Sequence, residues 1–174
     1  MRGFRARACA ALVTGAVVAG GAAASAQAEP VVPGVPVGQM SIQLYTFSGF
    51  IGDDEAKLRQ VLAALSESGY RGVEPYNLHG QTPQEFRALL DEYGLRAVAR
   101  HASVNESQWT SEIQTAKALG QEYMGSGGYP SPGIGSYANT LATAETLNRL
   151  GKRSVEAGAG KVYIHNHEDE FRTR

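Results

Sequence analysis

Cysteine is nearly absent from this chain of 174 residues: Cys9 is the only one, and it lies at the start of an apolar stretch rather than at its end. A cysteine in that place does not suit lipid attachment. Everything downstream of it lacks a thiol, which excludes disulfides, thiolate catalysis and cysteine-ligated zinc there. Long apolar runs are missing as well. The Ala- and Gly-rich stretch from Ala8 to about Ala24 only reaches the ~17-residue lower limit for crossing a bilayer. Nor is there an excess of positive charge, with 16 Lys and Arg against 17 Asp and Glu.

The same N-terminal region has the order of an export signal. Arg2, Arg5 and Arg7 precede the apolar stretch, and Ala26-Gln27-Ala28 forms a small-residue exit. Residues 1–28 are therefore expected to be a signal peptide, with the mature chain starting near Glu29 in the periplasm or outside the cell. Removing the three arginines from the 16 basic residues leaves 13 against 17 acidic ones, a net charge of −4. That balance argues against nucleic acid as a partner, and no membrane association is expected after cleavage. Pro30, Pro33 and Pro36 cannot propagate a helix, so residues 29–38 read as a proline-rich linker and residues 39–174 as the domain.

Within the domain the apolar pattern alternates between two periods. Met40 to Thr46 alternates as a strand does. Leu58, Val61, Leu62 and Leu65 then fall on one helical stripe behind Asp53 and Asp54, and Phe86, Leu89, Leu90 and Tyr93 do so behind Thr82-Pro83. Less regular helices are expected around Trp109, Ile113 and Ala116, and around Leu141, Leu147 and Leu150. Gly69, Gly94, Gly120 and the Gly158/Gly160 pair each precede a short β-type run: Gly72–Pro75, Arg96–Arg100, Glu122–Met124 and Lys161–Ile164. A helix ending on a left-handed glycine and turning into a strand is the αβ loop of a parallel sheet. Five parallel strands and four helices follow, the repetition of βαβ units.

An open doubly wound sheet normally carries a phosphate-binding glycine turn after its first strand, and Tyr45–Phe50 is no such turn. The glycine-rich stretch from Gly125 to Gly135 has no Gly-Lys-Ser/Thr ending and misses the dinucleotide spacing, so it reads as a mobile loop over the strand ends. A (β/α)8 barrel instead collects polar residues at the C-terminal ends of its strands. Here Glu74 closes strand 2, with His79 just beyond, and His101 ends strand 3. His165 and His167 end strand 5, followed by Glu168, Asp169 and Glu170. Imidazoles and carboxylates on one rim suit a divalent cation or a proton transfer next to a carbonyl. Alternation along an extended segment lets His165 and His167 both face a central site, with Asn166 turned away; Glu170 is the acid expected to turn inward.

These residues resemble the sugar phosphate isomerase/epimerase family of xylose isomerase-like TIM barrels. The resemblance runs from about Gln43 to Phe171 and is carried by Gly69-Tyr70-Arg71-Gly72-Val73-Glu74, Leu89 to Leu95 with His101 after it, Ala116 to Gly120, and Tyr163-Ile164-His165-Asn166-His167 with Glu170-Phe171. It implies a divalent metal, Mn, Mg, Co or Zn, that polarises a sugar or keto-sugar while a carboxylate moves the proton at the adjacent carbon. Carried over by position, Glu74, His101 and His167 are substrate-binding residues, and His165 and Glu170 are the catalytic and metal-ligating pair. His165 stands where the best-known epimerases have their first metal-binding glutamate, which leaves dehydratase or other lyase chemistry open. Barrels of this class need at least ~200 residues, so strands 6 to 8 are expected to be missing and the barrel partial, its reading frame truncated. Two other readings are a non-catalytic sugar-binding module lined by Tyr45, Tyr76 and Trp109, and two chains pairing into a dimeric barrel.

Overall fold

The structure is a computed structural model that describes residues 34–171. The expected signal peptide and the linker up to residue 33 lie outside the described residues. A single 3-10 turn at Val37–Gln39 leads into β1, Ser41–Gln43. The strands β2 (Gly72–Glu74), β3 (Arg96–Ala97), β4 (Tyr123–Ser126) and β5 (Lys161–Ile164) follow. All pairings are parallel: β1 lies beside β2, β2 beside β3, and β4 beside β5. The chain just after β3 joins the two groups. Tyr123 donates to the carbonyl of Val98 at 3.0 Å, Ala102 donates to that of Gly125 at 2.7 Å, and His101 and Gly125 form a parallel bridge. The strands therefore run in chain order 1-2-3-4-5, as successive staves of a barrel do.

Two strands are shorter than their alternation suggests. Met40 to Thr46 reads as one strand, yet pairing stops at Gln43 and the chain coils into a 3-10 turn at Leu44–Phe47. The last register pair is Gln43 with Glu74, and the 3-10 turn that follows takes Leu44 fully into the core. Beyond Ala97 the β3 chain bends at Val98 and takes up one extra residue, since Val98 donates to Val73 and His101 to Pro75, three residues against two.

Among the described residues five α-helices occur where the sequence suggests four. The additional one, α1 (Ser48–Ile51), is a single turn that places Ile51 in the core. Asp54 caps α2 (Glu55–Glu67) by accepting from the N–H groups of Ala56 and Lys57. Thr82 caps α3 (Pro83–Glu92) in a reciprocal capping box with Glu85. The stripes Leu58, Val61, Leu62, Leu65 and Phe86, Leu89, Leu90 are buried as their spacing predicts. α4 spans Trp109–Leu119 and ends on Gly120, whose φ of +70° is the left-handed region a Cβ disfavours. α5 spans Tyr137–Glu156. It buries Leu150, Thr143 and Ser154 but leaves Leu141 exposed, so its apolar stripe is displaced from the one expected.

Side chains on the outward face of the strands, such as Val73, Ala97 and Met124, pack beneath the helices. Trp109 belongs to that core rather than to any sugar pocket. It is fully buried, and its indole N–H donates to the carbonyl of Leu150 at 2.9 Å, tying α4 to α5. Among the described residues no helix is long and apolar enough to cross a membrane.

His79, in the loop between β2 and α3, sits at φ +49° with its imidazole edge-on to Tyr76. Burial pushes its pKa down, with Asp53 opposing the shift. The unfolded chain then binds the proton more readily than the folded one. His79's contribution is full above its unfolded pKa of about 6.5 and is lost as pH falls below it. Asn tolerates a left-handed φ and does not titrate. His79→Asn is therefore expected to reduce the drop in thermal midpoint between pH 7.5 and 5.5, as followed by circular dichroism.

Candidate functional site

Successive residues of an extended chain point to opposite faces, and the C-terminal ends of the strands use both. Arg100 faces outward and pairs with Glu112 of α4, while His101, the next residue, faces inward. Gln43 of β1, Glu74 of β2 and Tyr163 of β5 share that inward face. The Gln43 amide nitrogen lies 3.0 Å from Glu74 Oε1 and 2.8 Å from His101 Nδ1. Tyr163 donates its hydroxyl to the same Glu74 oxygen at 2.7 Å. His101 and Glu74 approach only to 3.9 Å, so the amide of Gln43 is what connects them.

The three imidazoles stand in a row, with ring centroids 5.2 Å apart for His101 and His165 and 4.8 Å for His165 and His167. Tyr45 and Tyr76 meet edge to face at 5.3 Å. Gln43, Tyr45, Tyr76, His101, Gly127, His165 and His167 enclose a cavity of about 580 Å³ at the strand ends. That size lies within the range of small-molecule pockets.

Glycine is required on one wall. A Cβ at Gly125 would run into the ring of Tyr163, and one at Gly127 into the imidazole of His101. The stretch read as a loop over the strand ends thus begins as β4 and cavity wall. Its later part is tied down, since Gly133 donates to Pro130 and its carbonyl accepts from the buried Thr143 hydroxyl at 2.7 Å.

Environment tunes the groups unequally. Burial, reinforced by the hydrogen bond to Glu74, pushes the Tyr163 hydroxyl well above the usual range and keeps it protonated. Burial lowers His101, and the neighbouring His165 and His167 add to the effect while Glu74 opposes it. Glu170 is held below the usual carboxylate range by its own backbone N–H, then by that of His167 and by the two imidazoles, against a cost of burial.

Glu74, His101, His165 and His167, all named from the sequence, come together at this end of the strands. Glu170 lies in the 3-10 turn Glu168–Phe171, where its carboxylate accepts from the His167 N–H at 2.7 Å and approaches His167 Nδ1 at 3.9 Å. Its partner is thus His167, and the structure gives it no hydrogen bond to His165. His79 is separated from the cavity by Tyr76. Sequence reasoning missed Gln43, Tyr163 and Gly127. Tyr163 was reachable, because it lies two residues before His165 on the same strand face; Gln43 and Gly127 matter only through neighbours distant in the chain.

No family model and no curated protein matches the sequence. Solved structures do. Two sugar phosphate isomerase/epimerase structures from Parabacteroides distasonis ATCC 8503 match at 20% and 18% identity, with TM-scores of 0.58 and 0.63; 76% of this chain is covered in each case, and 52% and 56% of theirs. A xylose isomerase-like TIM barrel/4-hydroxyphenylpyruvate dioxygenase fusion protein matches at 15% identity with a TM-score of 0.54, over 71% of this chain and 21% of the fusion. At such identities the likeness carries the fold, and the chain spans about half the length of the two Parabacteroides proteins. Its five parallel strands and their helices are part of a xylose isomerase-like TIM barrel.

Proposed function

We propose that the chain is the sugar-handling part of an exported isomerase/epimerase-like protein, taking an uncharged sugar or keto-sugar into the cavity at its strand ends. The observation that carries this reading is the pairing of an aromatic wall, Tyr45 and Tyr76, with a polar wall of Gln43, His101, His165 and His167 in one cavity of about 580 Å³. Aromatic rings pack against the C–H faces of a sugar, and amide and imidazole groups match its hydroxyl and carbonyl oxygens. An exported location favours a substrate without phosphate, because sugar phosphates are chiefly cytoplasmic metabolites.

His165, in the middle of the imidazole row, is the residue proposed to hold or move a proton at the carbon next to the carbonyl. Glu170 would orient His167 through the turn they share. A divalent metal of the kind such barrels use would supply polarisation of the carbonyl, and His165 and Glu170 are the residues proposed to meet it. Among the described residues these groups do not close into a ligand set: Gln43 occupies His101 Nδ1, and Glu170 is turned to His167.

Isothermal titration of the purified chain with a ketohexose and a ketopentose, before and after chelator, tests the reading. Millimolar or tighter binding is expected, and no heat with any of a panel of neutral sugars would sink it. Binding that survives chelation, with no product formed, favours a sugar-binding module without catalysis. Gly127→Ala places a methyl group against His101 and should weaken binding at least about tenfold, the effect of ~1.4 kcal/mol, while circular dichroism shows the fold retained.

A further inference from the structure

We infer that Gln43 is a positioning residue that holds His101 as a neutral imidazole with its proton on Nε2. The Gln43 amide nitrogen has two hydrogens and two acceptors within reach, Glu74 Oε1 at 3.0 Å and His101 Nδ1 at 2.8 Å. Turning the amide over would set its oxygen against Glu74 Oε1, an atom that already accepts from the Tyr163 hydroxyl at 2.7 Å. Two acceptors would then face each other with no proton between them. The orientation is thereby fixed from three strands, and His101 Nδ1 has to be the acceptor.

The consequence concerns what His101 can offer a ligand. With Nδ1 engaged and Nε2 protonated, the ring has a donor edge and no free lone pair. It suits an acceptor oxygen, the hydroxyl or carbonyl of an uncharged sugar, and it does not take up a cation. The ligand class rests on the function proposed above; the tautomer does not, because it follows from contacts within the chain.

The experiment uses two-bond 1H–15N correlation spectra of the ligand-free chain, with the His101 signals assigned by their loss in His101→Asn. The wild type should show His101 as one Nε2–H tautomer. Gln43→Glu replaces the donor facing Nδ1 by an acceptor, so the signals should move to the pattern of a proton on Nδ1 or on both nitrogens. Should that variant fail to fold, the exchange Gln43→Glu with Glu74→Gln keeps a hydrogen bond between the two positions and carries the same expectation. A wild-type His101 with its proton on Nδ1, on both nitrogens, or averaging between them overturns the inference, as does an Nε2–H pattern unchanged by Gln43→Glu. Absence of sugar binding alongside the expected tautomer would refute the proposed function alone.

Discussion

Glu74 Oε1 is the point at which three strands are tied together on their inner face. It accepts from Gln43 of β1 and from Tyr163 of β5, whose residues lie 31 and 89 positions away in the chain. Polar groups turned away from bulk water are costly unless paired. Gln43, Glu74, Tyr163 and His101 answer that constraint collectively, since each satisfies part of its neighbour's requirement. The arrangement sets the separation of the strand ends, and the cavity takes its polar wall from it.

The opposite face of the same strands obeys a different rule. Val73, Ala97 and Met124 bury apolar surface under the helices, in two clusters whose members include Phe86 and Trp109. This face supplies the hydrophobic stabilisation. The inner face is thereby left free to carry side chains chosen for hydrogen bonding. Alternation along the paired strands separates the two tasks, and the extra residue after Ala97 resets it so that Arg100 pairs with a helix and His101 with the site.

Much of the fold was legible because it is local. The capping residues Asp54 and Thr82, the stripes of α2 and α3 and the glycines after the helices follow from backbone sterics and periodicity, which need no distant partner. The regular elements that misled did so for tertiary reasons. β1 stops early because the chain coils at Leu44, which the core buries. Trp109 looks like an aromatic available for stacking, yet α5 covers it. Of the site, the histidines announced themselves by residue type at strand ends, whereas Gln43 and Gly127 carry no chemical label and gain their roles only from what lies across the sheet.

By itself, the sequence determined the order of strands and helices, the side of the barrel that would gather imidazoles and carboxylates, and the lack of any thiol to assist them, because period, composition and turn chemistry act within a few residues. Only the tertiary structure decided that the three imidazoles would stand in a row, that Glu170 would turn to His167, and that one amide would join His101 to Glu74. Those outcomes depend on which side chains from separate strands come within hydrogen-bonding distance, about 3 Å. Spacing along a single chain carries no record of that.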